Sequence, residues 1–132
     1  MKYLLDTHTF LWILFEDEQL SKKAADVIKN PENDIYVSVI TYWEISLKYS
    51  IQKLELRGIS PDELPQKAKE VGIETLEVTD REAATFHSLP RLKHKDPFDR
   101  LIVWQAVNQR LTLISKDRDL RKYTKHGLNI LW

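Results

Sequence analysis

Cysteine is absent from the 132 residues of this chain, which excludes disulfides, thiolate zinc sites and cysteine nucleophiles. Net charge is absent too, because twenty acidic residues balance twenty basic ones. Proteins that hold long nucleic acid by its phosphates usually carry a basic excess. Any such role here has to rest on local patches. Glycine is scarce, and Gly58, Gly72 and Gly127 form no glycine-rich phosphate loop. There is no Gly-x-Ser-x-Gly turn to expose a serine nucleophile. No stretch approaches the ~20 apolar residues of a membrane span. Asp6 breaks the first apolar residues too early for a signal peptide, so the expectation is a cytoplasmic chain with no membrane contact.

What is present is ordinary globular material. Hydrophobic residues make up 42% and charged residues 30%, a balance that folds rather than remaining disordered. The length suits one domain, residues 1–132, with a real core.

Taken in order, strands alternate with helices. Lys2 to Asp6 reads as a short buried strand, followed by a core helix capped by Thr7 and carrying Phe10 to Phe15. Ser21 caps a second helix to about Asn30, and Asn30 to Asn33 make a turn. Ile35 to Ser38 is a second strand. A helix from Val39 or Thr41 to Lys53 follows, on which Glu44 shares an apolar face with Leu47 and Ile51. Ser60 and Pro61 start another helix, reaching about Val71. Glu74 to Val78 is a third strand, Arg81 to Ser88 a helix, and Leu89 to Lys95 a basic loop. Pro97 opens a helix, Leu111 to Ser115 is a fourth strand, and a short helix ends near Tyr123. Asn129 to Trp132 closes the chain as a strand. The alternation predicts a three-layer α/β/α domain around a central, mostly parallel sheet.

The stretch Asp96-Pro97-Phe98-Asp99-Arg100-Leu101-Ile102-Val103-Trp104-Gln105-Ala106 poses the chemical question. At about 100° per residue, Asp99 falls between Val103 and Ala106 on a helix that is apolar almost all round. A carboxylate buried there costs several kcal/mol unless a positive partner meets it. Asp6 at the end of the first strand, Glu44 after the second and Asp117 after the fourth belong to the same sheet edge. Ligands of open α/β sheets bind beyond the carboxyl ends of the strands, so these four acids are expected to converge. Oxygen ligands of this kind suit Mg²⁺ or Mn²⁺. Each acid also has a plainer role. The plainer alternatives are Asp6 as the cap of the next helix, Glu44 as the partner of Lys48 four residues on, Asp96 and Asp99 as helix N-terminal charges with Asp96 the cap before Pro97, and Asp117 and Asp119 as turn or cap residues.

The segments Leu4-Leu5-Asp6-Thr7-His8, Tyr42-Trp43-Glu44-Ile45, Leu89-Pro90, His94, Asp96 to Ile102, Leu113-Ile114-Ser115-Lys116-Asp117 and Ile130-Leu131-Trp132 occur in an order that resembles PIN-domain proteins, of the VapC-like toxin ribonuclease kind. The resemblance runs nearly the whole length. It implies an endoribonuclease dependent on Mg²⁺ or Mn²⁺, with Asp6, Glu44, Asp99 and Asp117 as catalytic and metal-holding acids. It further implies a homodimer silenced by a cognate antitoxin protein. Ser115 stands where the family often has Thr, and its hydroxyl can serve the same purpose. Asp96 and Asp119 are extra acids beside matched ones and are candidate additional ligands.

An acidic metal cluster repels RNA, so basic groups must flank it. Arg100, Lys116, His94 and Thr7 are the substrate-side candidates, and Arg91, Lys93 and Lys95 share the basic loop. Trp43 and Tyr42 offer rings for a base to stack on. A receiver-like phosphatase should show Asp-x-Asp after the first strand, and Thr7-His8 does not supply it. A non-catalytic binding module on the same fold, an rRNA-processing nuclease and a DNA-directed nuclease are the remaining alternatives.

Overall fold

β-Rich segments from across the chain meet side by side in the structure, a computed structural model describing residues 1–132. The strands are β1 (Lys2–Leu5), β2 (Asp34–Ser38), β3 (Ile73–Leu76), β4 (Thr112–Ile114) and β5 (Asn129–Leu131). They lie in the order β3-β2-β1-β4-β5, and every neighbouring pair is parallel. Parallel neighbours cannot be joined by a tight turn, so each crossover carries helix. These are α1 (Thr7–Phe15), α2 (Lys22–Lys29), α3 (Val39–Ser50), α4 (Leu64–Glu70), α5 (Asp80–Thr85) and α6 (Pro97–Gln109), with a 3-10 stretch, Arg118–His126, between β4 and β5. No helix is long and apolar enough to cross a membrane.

Side chains alternate across the sheet and fill two separate cores, as a parallel sheet covered on both faces requires. Tyr3, Leu5, Ile35 and Val37 join Phe10 of α1, Ala24 of α2 and Leu64 of α4 on one face. Leu4 and Leu113 join Ile102, Val103 and Ala106 of α6, and Tyr123 of the 3-10 stretch, on the other. The three-layer architecture expected from the alternation is the one observed.

Strand order reverses at β1, because the chain builds outward through β2 and β3 and then returns to add β4 and β5. The crevice beyond the carboxyl ends of β1 and β4 is therefore the topological switch point. Leu5 is level with Ile114 there, so the residues that follow each strand, Asp6 and Ser115 to Asp117, emerge together.

Three local expectations are corrected. Asp6, not Thr7, caps α1, because its carboxylate accepts the Thr9 N–H at 2.8 Å. The helix it starts is not wholly core: Thr7, Thr9 and Phe10 are buried, whereas Leu11 to Phe15 stay partly open. Glu44 is buried, but Leu47 and Ile51 on the same side of α3 are 40% and 52% exposed. Periodicity gives a direction around the helix axis. It does not say how far along the axis the neighbours extend, and Ile51 lies about 10 Å beyond Glu44.

Candidate metal centre

Beyond β1, Asp6 is buried and stitched to β4. Its N–H donates to the Ile114 carbonyl at 3.2 Å, and the Thr9 hydroxyl donates to the same oxygen at 3.0 Å. Burial pushes the Asp6 carboxyl up from the ordinary range, against hydrogen bonds from Ser115 and Thr9 and the nearby His8. Ser115 is itself buried, and its hydroxyl accepts the Asp117 N–H at 3.0 Å. One small side chain thus addresses two of the acids.

Asp96 caps α6, one oxygen accepting the Phe98 N–H at 2.8 Å and the Asp99 N–H at 3.2 Å. Pro97 follows in the first turn, where its missing N–H costs nothing. Asp99 then points into the switch-point crevice, with its side chain 21% exposed and an oxygen 3.0 Å from Nε2 of His94. Its carboxyl is pushed up to about 6, first by burial and then by the Asp96 charge. The His94 hydrogen bond works the other way, while Glu44 and Asp6 add to the rise. Asp117 caps the 3-10 stretch by accepting the Asp119 N–H at 2.9 Å. One ligand atom from each of His94, Asp99 and Asp117 lies within 4.8 Å of the other two.

Glu44 meets the crevice from α3 but has its own partners. The Thr7 hydroxyl donates to one oxygen at 2.6 Å, and Lys48 donates to the other. Burial works against the Lys48 charge, yet its pKa is raised, because Glu44 and then Asp96 and Asp99 outweigh the burial. Thr7, expected on the substrate side, is buried between Glu44 and the Thr41 hydroxyl, so it orients Glu44 instead. Arg100 is likewise engaged elsewhere. Its guanidinium donates to the Leu89 carbonyl at 3.2 Å and to the Tyr123 hydroxyl at 3.4 Å, and it lies 4.7 Å from the centre of the Phe86 ring. Asp119 faces solvent and pairs with Lys122 at 3.6 Å, so of the two neighbouring acids only Asp117 turns into the crevice. Lys116 does reach it. With Asp6, His8, Trp12 and Asp117 it lines an open groove of about 290 Å³, its ammonium 5.9 Å from the centre of the Trp12 ring.

Two supporting residues escaped the sequence reading. Trp12 forms a groove wall and packs against Trp132 at 5.7 Å between ring centres. Gln105 is fully buried. It accepts from the Ser38 hydroxyl at 2.6 Å and donates to the Glu77 carbonyl at 3.2 Å, pinning α6 to the ends of the strands. Its signal was in view: a polar side chain on a nearly all-apolar helix, the same anomaly that singled out Asp99.

The donor set can be tested against a divalent cation by its own electrostatics. Asp99 is held back from ionising by burial and by Asp96, Glu44 and Asp6, a penalty a bound cation would relieve. His94 is engaged with Asp99, which leaves carboxylate oxygens as the main donors. Hard oxygen-binding cations fit that set.

The PIN domain family model matches residues 3–126. Ribonuclease VapC22 of Mycobacterium tuberculosis is 32% identical over 120 residues, spanning 91% of this chain and 90% of its own length. Among solved structures, VapBC2 from Rickettsia felis bound to a promoter DNA fragment superposes with a TM-score of 0.65 at 16% identity, covering 99% of this chain and 98% of that one. VapBC-1 from nontypeable Haemophilus influenzae gives 0.64 at 16% identity, covering 99% and 97%. At that identity the superpositions establish the fold.

Proposed function

The chain belongs to the PIN domain family, and on that footing we propose that it is a divalent-metal-dependent endoribonuclease, the toxin of a toxin–antitoxin pair. The observation that carries this reading is the meeting of Asp99, Asp117 and His94 within 4.8 Å beside buried Asp6 at the switch point. The ribonuclease activity named for the Mycobacterium relative supports RNA as the substrate.

Asp6, Glu44, Asp99 and Asp117 are assigned as the catalytic and metal-holding acids. Asp99 and Asp117 would supply direct ligands, with Asp6 and Asp96 as neighbouring oxygen donors. Glu44, already bonded to Thr7 and Lys48, adds negative charge from the α3 side. When bound, Mg²⁺ or Mn²⁺ lowers the pKa of a water and offsets charge building on the phosphate. In the reaction the water oxygen bonds to phosphorus, one ester P–O bond breaks, and the departing oxygen gains a proton. His94 keeps the Asp99 carboxylate oriented through its Nε2 contact, and Ser115 orients Asp6 and the Asp117 backbone. Lys116, exposed at the groove rim, is placed to meet a substrate phosphate.

The VapBC complexes among the structural neighbours support a protein antitoxin as a partner. An exposed apolar stripe along α3 and its C-terminal cap, with Trp43 60%, Leu47 40% and Ile51 52% exposed, supports a homodimer contact, since such stripes mark interaction surfaces. The cytoplasm is the compartment assigned to it on this reading.

The test is incubation with mixed RNA in Mg²⁺, in Mn²⁺ and in EDTA. Cleavage is expected with either ion or with one of them, lost in EDTA, and lost in an Asp99→Asn variant whose circular dichroism is unchanged. Undiminished cleavage in EDTA or by that variant defeats the reading.

A further inference from the structure

A chain with zero net charge nevertheless gathers cations in one place. Arg91, Lys93, Lys122 and Lys125, with the His126 ring and Leu92, line an open cleft of about 620 Å³. One wall is the loop before α6 and the other is the 3-10 stretch Arg118–His126. Both walls begin at the acidic centre. The loop carries His94, and the 3-10 stretch is capped by Asp117, which meets His94 and Asp99. Arg100 ties the walls together by donating to Leu89 at the root of the loop and to Tyr123 in the 3-10 stretch. Only one of these cations has a carboxylate within 4 Å: Lys122 pairs with Asp119 at 3.6 Å, and both side chains are more than half exposed. Such a pair is worth little in water and leaves Lys122 available.

We propose that this cleft is a phosphate-binding track that holds single-stranded RNA as it leaves the acidic centre. The inference rests on the nuclease reading of that centre. A 3-10 helix rises about 2 Å per residue, which sets Lys122 and Lys125 roughly 10 and 16 Å beyond Asp117 along the axis of the stretch. That is the span of a short run of nucleotides. Lysine is depleted from the cores of protein interfaces, and the cleft has no aromatic or bulky apolar anchor beyond Leu92. Lys and Arg are the usual contacts to phosphate oxygens. The cleft therefore suits a nucleic-acid backbone better than a folded protein surface.

The probe is labelled oligo(U), its binding followed by fluorescence anisotropy in EDTA across a KCl series. Each phosphate contact contributes about 0.7 to the slope of log affinity against log salt for single strands. The double variant Lys122→Gln, Lys125→Gln is expected to bind more weakly and to lose about 1.4 from that slope. With metal restored, the same variant is expected to raise KM for long RNA and to leave kcat unchanged. Unaltered affinity and slope overturn the proposal. So does a variant that keeps oligo(U) binding but loses an acidic polypeptide such as poly(Glu), which would make the cleft a seat for an acidic protein segment. The two readings fail separately. A wild-type chain that binds oligo(U) but cleaves no RNA with metal defeats the nuclease, whereas one that cleaves RNA with an unaltered variant slope defeats only the track.

Discussion

The acidic crevice and the basic cleft are neighbours built from adjoining segments, and each crowds charges of one sign. They differ in depth. Asp6 is buried and Asp99 largely so; burial pushes both carboxyls up, and for Asp99 the neighbouring carboxylates add to the rise. Lys93, Lys122 and Lys125 stand in solvent, where like charges at these separations repel weakly and salt screens them. Burying like charges stores free energy that a counter-ion can release. Exposing them leaves a surface ready for an oppositely charged chain at small cost to the fold.

The largest effect expected on this contrast is on activity. Asp117→Asn should lower metal-dependent RNA cleavage by more than about 100-fold, beyond the loss typical of outer-shell changes. A rate within a fewfold of wild type would remove Asp117 from the centre. Next comes stability without metal. The Asp99 pKa is raised to about 6 from 3.8, so between those values the folded state binds more protons than the unfolded state. Stability therefore falls as pH rises from about 4 to about 6, by a few kcal/mol at most, and the loss persists above pH 6. Asp99→Asn in EDTA should accordingly raise the melting temperature at pH 7 and give no gain at pH 4. An equal shift at both values would mean that Asp99 carries no such penalty.

Gln105→Leu leaves the buried Ser38 hydroxyl and the Glu77 carbonyl without their partner and should cost about 1–3 kcal/mol in urea unfolding. A neutral result would show that α6 is pinned by packing alone. Lys48→Met removes the cation from buried Glu44. Because Lys48 is itself 36% exposed, the loss should be about 1–2 kcal/mol, smaller than for a fully buried pair. Glu44→Gln in the same background should recover part of it. At the small end, Lys122→Gln with Lys125→Gln should change stability by less than about 0.5 kcal/mol. A large change would show that the basic cleft also holds the fold together and would blur the contrast drawn above.

Much of this arrangement is legible along the chain. Ser21, Asp96 and Pro97 mark helix starts because capping is local chemistry, settled by a side chain and the few backbone N–H groups that follow it. Asp99 stands out because a carboxylate on an apolar helix is an anomaly that needs no partner to be seen. The choice between Asp117 and Asp119 was not legible. The two lie two residues apart on a polar segment, and only the packing of the 3-10 stretch turns one inward. Arg100 read as a substrate contact because a cation beside an acidic motif has no visible partner in sequence, whereas Leu89, Tyr123 and Phe86 come to it through the fold.

By itself the sequence determined the alternation of strands and helices and the two-sided burial of the strands, and it singled out Asp99, because period, capping and the cost of buried charge act over a few residues. Tertiary structure alone decided strand order, and with it which chain ends meet at the β1–β4 crevice. It also decided which charges are paired, which are buried, and which line an open cleft. Those depend on contacts between segments far apart in the chain, where electrostatic energy follows distance in space and depth below the surface, neither of which the order of residues contains.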